Sequence, residues 1–449
     1  MSLSLRRSLA RALPGLALAL ATLSAEAASV IRDAEIEETV HRLADPIFEV
    51  AGLDAESIDI YLLNDSVLNA FVAGGQNLFI NTGLIQRTKG PEELQGVIAH
   101  ESGHIAGGHL ARRMEEVKNA QYKALLGAAA GLVAALAGAP QAATAGMALG
   151  ATFAQGGFLA FSRTQEQAAD QAAVTYLAQL QESPEGLRDF FEVLETQNLR
   201  ISGGGSVYAR THPLTQDRLR FMDEQVARSP FKGRSLPPDI LEAHARMVAK
   251  LDGFLLSSAD VQRRHPSNSI ADRYARAIAL YRIPDIDRAL TAIDELIASE
   301  PQNPYFHELK GQVLFENGRI AEAEQPYAVA VKYRPDSSLI RLGLARALLE
   351  QDSPAKTEEA AALLREAARL EPDNPGLWRF LGIAYGKLGQ EGPASMALAE
   401  NAILIGNKAD AQLYVYRAQQ SVKPGDPEWV RLQDQLRAVE DLPNPTRGG

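Results

Sequence analysis

Prolines recur at positions 266, 301, 335 and 372, at intervals of 35, 34 and 37 residues, through an Ala-rich stretch whose apolar residues follow a helical period. That period, with turn residues between paired helices, is the signature of tetratricopeptide repeats. The clearest copy has Trp378, Leu381, Gly382 and Tyr385 at the spacing W-x2-L-G-x2-Y. Asn317-Gly318 and Leu388-Gly389 fall where the first helix of a pair must turn back. Four repeats fit the length, with a degenerate fifth from Lys408 to Leu442. No single pair can bury its apolar face, so the pairs must stack into a curved α-solenoid whose concave side binds peptide or protein.

The array fills only the C-terminal part, and 449 residues are too many for one ordinary core. Hydrophobic residues at 46% and charged residues at 22% describe a folded chain. The sequence divides into a signal segment (1–27), a domain carrying chemistry (28–235), a helical linker (236–265), the repeats (266–442) and a flexible tail (443–449). In the signal, Arg6, Arg7 and Arg11 precede an apolar run from Leu13 to Leu23, and Ala25-Glu26-Ala27 is a small-x-small cleavage site. No cysteine occurs, so there is no disulfide, no lipidated cysteine and no thiolate ligand; export without cysteine suggests a periplasm. Removing a segment of net charge +2 takes the chain from −11 to −13, and without a basic stripe nucleic acid is excluded as a partner.

Within 28–235, Val30 to about Ala51 reads as helix, and Ile58–Leu63 and Phe71–Ile80 as short strands with Gly74-Gly75 between extended pieces. Asn77–Thr82 is expected at the sheet edge, where a substrate could add as an extra strand. Pro91, followed by Glu92 and Glu93, starts a helix expected to run to about Val117. Between Lys123 and Arg163 lie 39 uncharged positions rich in Ala, Gly and Leu. This segment, 124–162, reads as buried helices or a membrane-touching hairpin, and two membrane spans, hence an integral membrane protease, are the alternative.

The predicted helix from Pro91 carries His100-Glu101-Ser102-Gly103-His104. Two histidines four residues apart place both imidazoles on one helix face, within reach of one zinc ion. Glu101 lies beside them, where a carboxylate can take a proton from metal-activated water and pass it to a leaving amine. A catalytic zinc needs a third ligand, and Glu166 on a second predicted helix offers one, with Asp170 one turn on to orient a ligating histidine. On spacing alone the two acids could equally form a solvated helix face. His109 lies about 140° further round an uninterrupted helix and reads as structural, not as a ligand. His41, His244, His265 and His307 have no ligand-spaced partner and read as packing or surface residues.

Asn69-Ala70-Phe71, Gly83-Leu84-Ile85, the pentad after Ala99, Ser162-Arg163-x-x-Glu166-x-x-Ala169-Asp170 and Thr211-His212-Pro213 with Arg218 together resemble the HtpX-type zinc metallopeptidases, and among them the periplasmic BepA-like branch. The resemblance implies a mostly helical fold: a zincin-type α+β domain with a small sheet, followed by the repeat solenoid. It implies that His100, His104 and Glu166 ligate one zinc ion per chain, with Glu101 as the catalytic base. His212 matches a position on a loop over the metal, where it can act as a gating fourth ligand or, when unbound, as a catalytic donor to the oxyanion. Read alone it is a turn histidine before Pro213. Arg218 would brace that loop or a carboxylate such as Glu101 or Glu166. The implied function is a cell-envelope endopeptidase acting on misassembled outer-membrane proteins, partnered by the β-barrel assembly machinery. An assembly scaffold with a normally locked zinc site is the alternative.

Overall fold

The structure is a computed structural model that describes residues 30–73, 76–109, 163–200, 208 and 211–443. The expected signal segment, the expected turn at Gly74-Gly75, the uncharged segment 124–162 and the expected tail beyond 443 lie outside the described residues. Among the described residues no helix is long and apolar enough to cross a membrane.

Helix α1 (Ala34–Val50) starts where the Asp33 carboxylate accepts from the backbone N–H groups of Glu35 and Ile36. Ile36, Val40, Leu43, Ala44, Ile47 and Phe48 form one stripe at helical spacing, and all are buried. The helix expected from Val30 begins four residues later, because Val30–Ile31 is a strand (β1) pairing antiparallel with β2 (Ile60–Leu63). With β3 (Ala70–Ala73) and β4 (Asn77–Asn81), these form a sheet in the order β1-β2-β4-β3. The expected edge position of Asn77–Thr82 is therefore corrected. β4 is interior, parallel to β2 and antiparallel to β3, and Thr82 opens a one-turn helix, α2 (Thr82–Ile85). The edge on that side, against α3, is β3.

Helix α3 (Pro91–Ala106) begins with Pro91 at its first turn, as its sequence dictates. It stops short of the expected Val117, because Gly107 and Gly108 follow and Gly108 takes φ +60°, a conformation that ends a helix without a Cβ penalty. A second helix, α4, runs through 163–179, then α5 (Glu185–Arg200) packs on α3, and α6 (Gln216–Arg228) packs on α5. One apolar core joins α1, the sheet and α3 to α6, and reaches Met247 and Leu251 of α7 (Pro238–Leu255).

After the short α8 (Ser258–Arg264) come five helix pairs. They are α9–α10 (Ile270–Arg282, Ile286–Ser299), α11–α12 (Pro304–Glu316, Ile320–Tyr333), α13–α14 (Ser338–Leu349, Pro354–Leu370), α15–α16 (Pro375–Lys387, Glu391–Leu404) and α17–α18 (Lys408–Ser421, Trp429–Asp441). Gly318 and Gly389 sit at φ +75° and +71°, at the turns that their Asn-Gly and Leu-Gly dipeptides mark. Trp378 and Leu381 are buried between helices, as the repeat pattern requires.

The start of α1 is bolted to α7 and to the repeats. Arg246 reaches Glu35 at 2.9 Å, Lys250 reaches Asp33 at 2.7 Å, and the Tyr274 hydroxyl donates to Glu35 at 3.0 Å. Tyr305 and Arg334 hold Glu38, and Arg32 pairs with Glu371 at 2.5 Å. Burial pushes the Glu308 carboxyl beside this cluster up to about 8, against the charge of Lys250.

Candidate metal centre

Gly103, inside the pentad, decides how close α4 can come. A Cβ there would sit 3.0 Å from the Ala169 Cα and carbonyl oxygen and 3.1 Å from the Ala172 Cβ. With glycine, α4 lies against α3 and turns Glu166 toward the histidines. The Ser102 hydroxyl returns to the Ile98 carbonyl at 2.7 Å, so it is spent on its own helix.

His100, His104, Glu166 and His212 are all buried, and one ligand atom from each lies within 4.8 Å of every other. The His100 and His104 Nε2 atoms are 3.2 Å apart, and the Glu166 oxygens lie 3.3 and 3.4 Å from them. His212 Nδ1 is 3.2 Å from each Glu166 oxygen and 3.4 Å from His100 Nε2. Glu101 stands beside this group, its Oε1 3.5 Å from His212 Nε2.

Behind the cluster, His100 Nδ1 donates to Asp170 at 2.9 Å, which turns Nε2 inward toward the group. Arg218 closes the back: its Nε and Nη2 donate to Asp170 at 2.6 and 2.8 Å, and Nη1 to Glu166 and the Pro213 carbonyl, both at 3.0 Å. Its guanidinium also stacks over Phe191 at 4.9 Å. Of the carboxylates proposed for it from sequence, Arg218 reaches Glu166 and not Glu101, and it does brace the loop that carries His212.

Two residues were not singled out for these contacts. His109 Nδ1 lies 3.0 Å from His104 Nδ1, so His109 is outside the ligand group yet sets the orientation of one of its members. The helical-wheel argument misplaces it because the helix breaks at Gly107-Gly108. Tyr208 stacks its ring on His212 at 4.4 Å and directs its hydroxyl to Glu101 Oε1 at 3.4 Å. Nothing in local spacing marks a tyrosine 107 residues from its partner. His41, His244, His265 and His307 lie away from the group, on Asp45, Thr88, Asp252 with Asp272, and the Pro301 carbonyl respectively.

Burial drives His104 down to about 3, and it works against His100 too, but the Asp170 and Glu166 carboxylates hold His100 at about 9. Of two imidazoles 3.2 Å apart only one carries charge. Burial would raise Glu166, yet hydrogen bonds from His100, His104 and His212 hold it far below the usual carboxylate range. Burial raises Glu101, with the charges of His212 and His100 opposing. A cation in the group would displace the inner proton of His100 while Nδ1 keeps its bond to Asp170, leaving two imidazole nitrogens and a buried anion facing inward, so the donor set fits a metal ion. Asp170→Asn is expected to lower metal affinity about 10- to 100-fold, measured by competition with a chelator; unchanged affinity would remove Asp170 from the support of the site.

The fold and the donor set describe a metallopeptidase domain joined to a repeat array, and the comparisons agree. Residues 31–226 match the family described as Peptidase family M48, and residues 274–338 match a tetratricopeptide repeat. The first match spans all four residues of the convergent group, and the second lies within the paired helices. It is similar to the beta-barrel assembly-enhancing protease of Yersinia pestis, 26% identical over 92% of this chain and 86% of that one. It is also similar to the protein of that name in Escherichia coli (strain K12), 25% identical over 92% and 85%. Among solved structures, MamA matches 36% of this chain and 90% of its own at 17% identity, with a TM-score of 0.29, too loose a likeness to carry argument.

Proposed function

We propose that this chain is a zinc-dependent endopeptidase of the cell envelope. It cleaves misfolded or misassembled outer-membrane proteins in the periplasm, and its repeats engage them and the assembly machinery. The observation that carries this is the convergence of two histidines of one helix with Glu166 of another, backed by Asp170 and flanked by Glu101. Imidazoles with a carboxylate and no thiolate suit zinc. The relatives' name, beta-barrel assembly-enhancing protease, supports the substrate class.

In this reading His100, His104 and Glu166 hold the metal, which when bound polarises the scissile carbonyl and acidifies water. Glu101 accepts a proton at Oε1 and returns it to the leaving nitrogen. Asp170 and Arg218 fix the tautomer of His100 and the angle of Glu166. Substrate backbone adds along β3, the sheet edge beside α3, so selection falls on extended or unfolded chain.

A second reading, a scaffold with a locked site, has its own support in the place of His212 among the ligand atoms. We take the two together: His212, with Nδ1 beside Glu166, would act as a further ligand that closes the site at rest and would leave with its loop. Purified mature protein is expected to hold one zinc ion per chain, and His212→Ala to keep it while cleaving casein up to about 10-fold faster, the ceiling for a lock closed nine times in ten. A metal-free, well-folded protein would sink the catalytic reading, and an unchanged rate in a zinc-loaded His212→Ala variant would sink the lock. We propose that the chain touches the membrane at most peripherally, so carbonate should release it from membranes; retention would favour the integral alternative.

A further inference from the structure

Successive residues of a strand point to opposite faces of its sheet. Ile60, Leu62, Ala70, Val72, Leu78 and Ile80 point to one face and lie in the apolar core or against it, whereas Tyr61, Phe71 and Phe79 point to the other and belong to no part of that core. All three rings are half-buried. The register sets them in a row across the sheet, Tyr61 of β2 opposite Phe79 of β4 and Phe79 opposite Phe71 of β3. Tyr61 and Phe79 stack with centroids 5.0 Å apart and planes 16° apart, and Phe71 and Phe79 at 5.0 Å and 8°. That separation is close to the distance between neighbouring strands, about 4.8 Å, so the rings repeat with the strands. The face of an antiparallel pair that turns away from the core is ordinarily polar. Here the row of rings runs to Phe71 on the edge strand and has no further member beyond it among the described residues.

We propose that Phe71 is a specificity determinant for the polypeptide that adds at β3, selecting an aromatic side chain at the position opposite it. The inference rests on substrate entry along β3 and gives that entry a chemical preference. A strand paired with β3 lies about 4.8 Å beyond it, and its residue opposite Phe71 points to the outer face, where a planar ring becomes the next member of the row. An aliphatic side chain fits the same place but brings no ring to stack. The residues on either side of the selected one point to the other face, so what is read is a single aromatic residue on an extended strand, not an aromatic cluster. Backbone pairing alone accepts any unfolded chain; the row narrows the choice to strands with an aromatic residue on one face. The strands of membrane β-barrels have this character, alternating apolar with polar residues and carrying aromatic residues near both ends.

The test is the binding of fluorescein-labelled, Thr-rich peptides of about ten residues, the length of one barrel strand, to the full mature protein with Glu101→Gln, read by fluorescence anisotropy. The peptides differ at one central position only. Phe there is expected to bind about 3- to 10-fold more tightly than Leu, the gain of one stacked pair, and cyclohexylalanine, which has the size of Phe without its π face, should follow Leu. Phe71→Leu should bring the ratio of Phe to Leu binding to about 1, and Phe71→Tyr, which keeps a ring, should keep the ratio. Binding is read without cleavage, so the two readings fail separately. A Phe preference in a protein whose wild type cleaves no casein would leave this inference standing and sink the peptidase reading; casein cleavage by the wild type without a Phe preference would do the reverse. Equal binding of the Phe and Leu peptides, a cyclohexylalanine peptide bound as tightly as Phe, a preference that survives Phe71→Leu, or no saturable binding at millimolar peptide would each overturn the proposal.

Discussion

Replacing Glu101 by Gln is expected to lower the rate of casein cleavage about 10³-fold while leaving zinc content unchanged. Glu101 is buried and lies outside the group of convergent ligand atoms, so the amide, which has the same shape, removes a proton acceptor without removing a ligand. Its neighbours are the Tyr208 hydroxyl at 3.4 Å and His212 Nε2 at 3.5 Å, both able to donate to the amide oxygen that remains. The same variant should not be less stable. Burial raises the Glu101 pKa, so the folded state binds that proton more tightly than the unfolded state, and ionising Glu101 at neutral pH weighs against folding. The neutral amide removes this penalty, and the unfolding temperature of metal-free Glu101→Gln should equal or exceed that of the wild type at pH 7 and match it at acid pH. Retention of a tenth of the cleavage rate would rule Glu101 out as the base.

Two kinds of pattern were legible in the sequence. The repeats could be read because a period near 34 residues is a local property, with Gly318, Gly389 and Trp378 falling where it requires. The His100-x-x-x-His104 pair could be read because four residues on a helix fix the angle between two side chains. Contacts set by the approach of separate elements were harder. Glu166 stood out through its motif, but its approach depends on Gly103, whose role appears only where α4 comes within 3.0 Å. The edge strand was misjudged because alternation along Asn77–Asn81 says nothing of which strand lies outermost; two neighbours chosen by the fold decide that. His109 stays outside the ligand group as expected, but its contact with His104 was hidden by one local break, and Tyr208 was missed through sequence distance alone. The bolt between Asp33, Glu35, Glu38 and the solenoid went unread, since capping residues at a helix start look the same whether solvent or a second domain faces them.

Arg218 is the residue whose loss should cost the protease half most stability. It is 2% exposed, and it neutralises two buried carboxylates, Asp170 through two nitrogens and Glu166 through a third. Arg218→Ala leaves both anions buried without their cation, and breaking such a pair from one side costs about 3–5 kcal/mol. The loss should be largest in the metal-free protein, because a bound cation takes over part of the compensation for Glu166. Arg218→Lys should rescue little, since one ammonium cannot reproduce the paired hydrogen bonds to Asp170 together with those to Glu166 and the Pro213 carbonyl. The pH dependence has a definite sign. Burial opposes ionised Asp170, but Arg218 holds its pKa below the usual value, so the pair contributes stability above the unfolded-state pKa, about 3.9, and loses it as pH falls through the lower folded-state value. Without Arg218, burial raises the Asp170 carboxyl and the variant takes up that proton first, so thermal unfolding in chelator should separate wild type from Arg218→Ala most at neutral pH, with the gap narrowing as pH falls. A gap that widened on acidification, or an Arg218→Ala variant as stable as the wild type without metal, would mean that the carboxylates are neutralised by something other than this guanidinium.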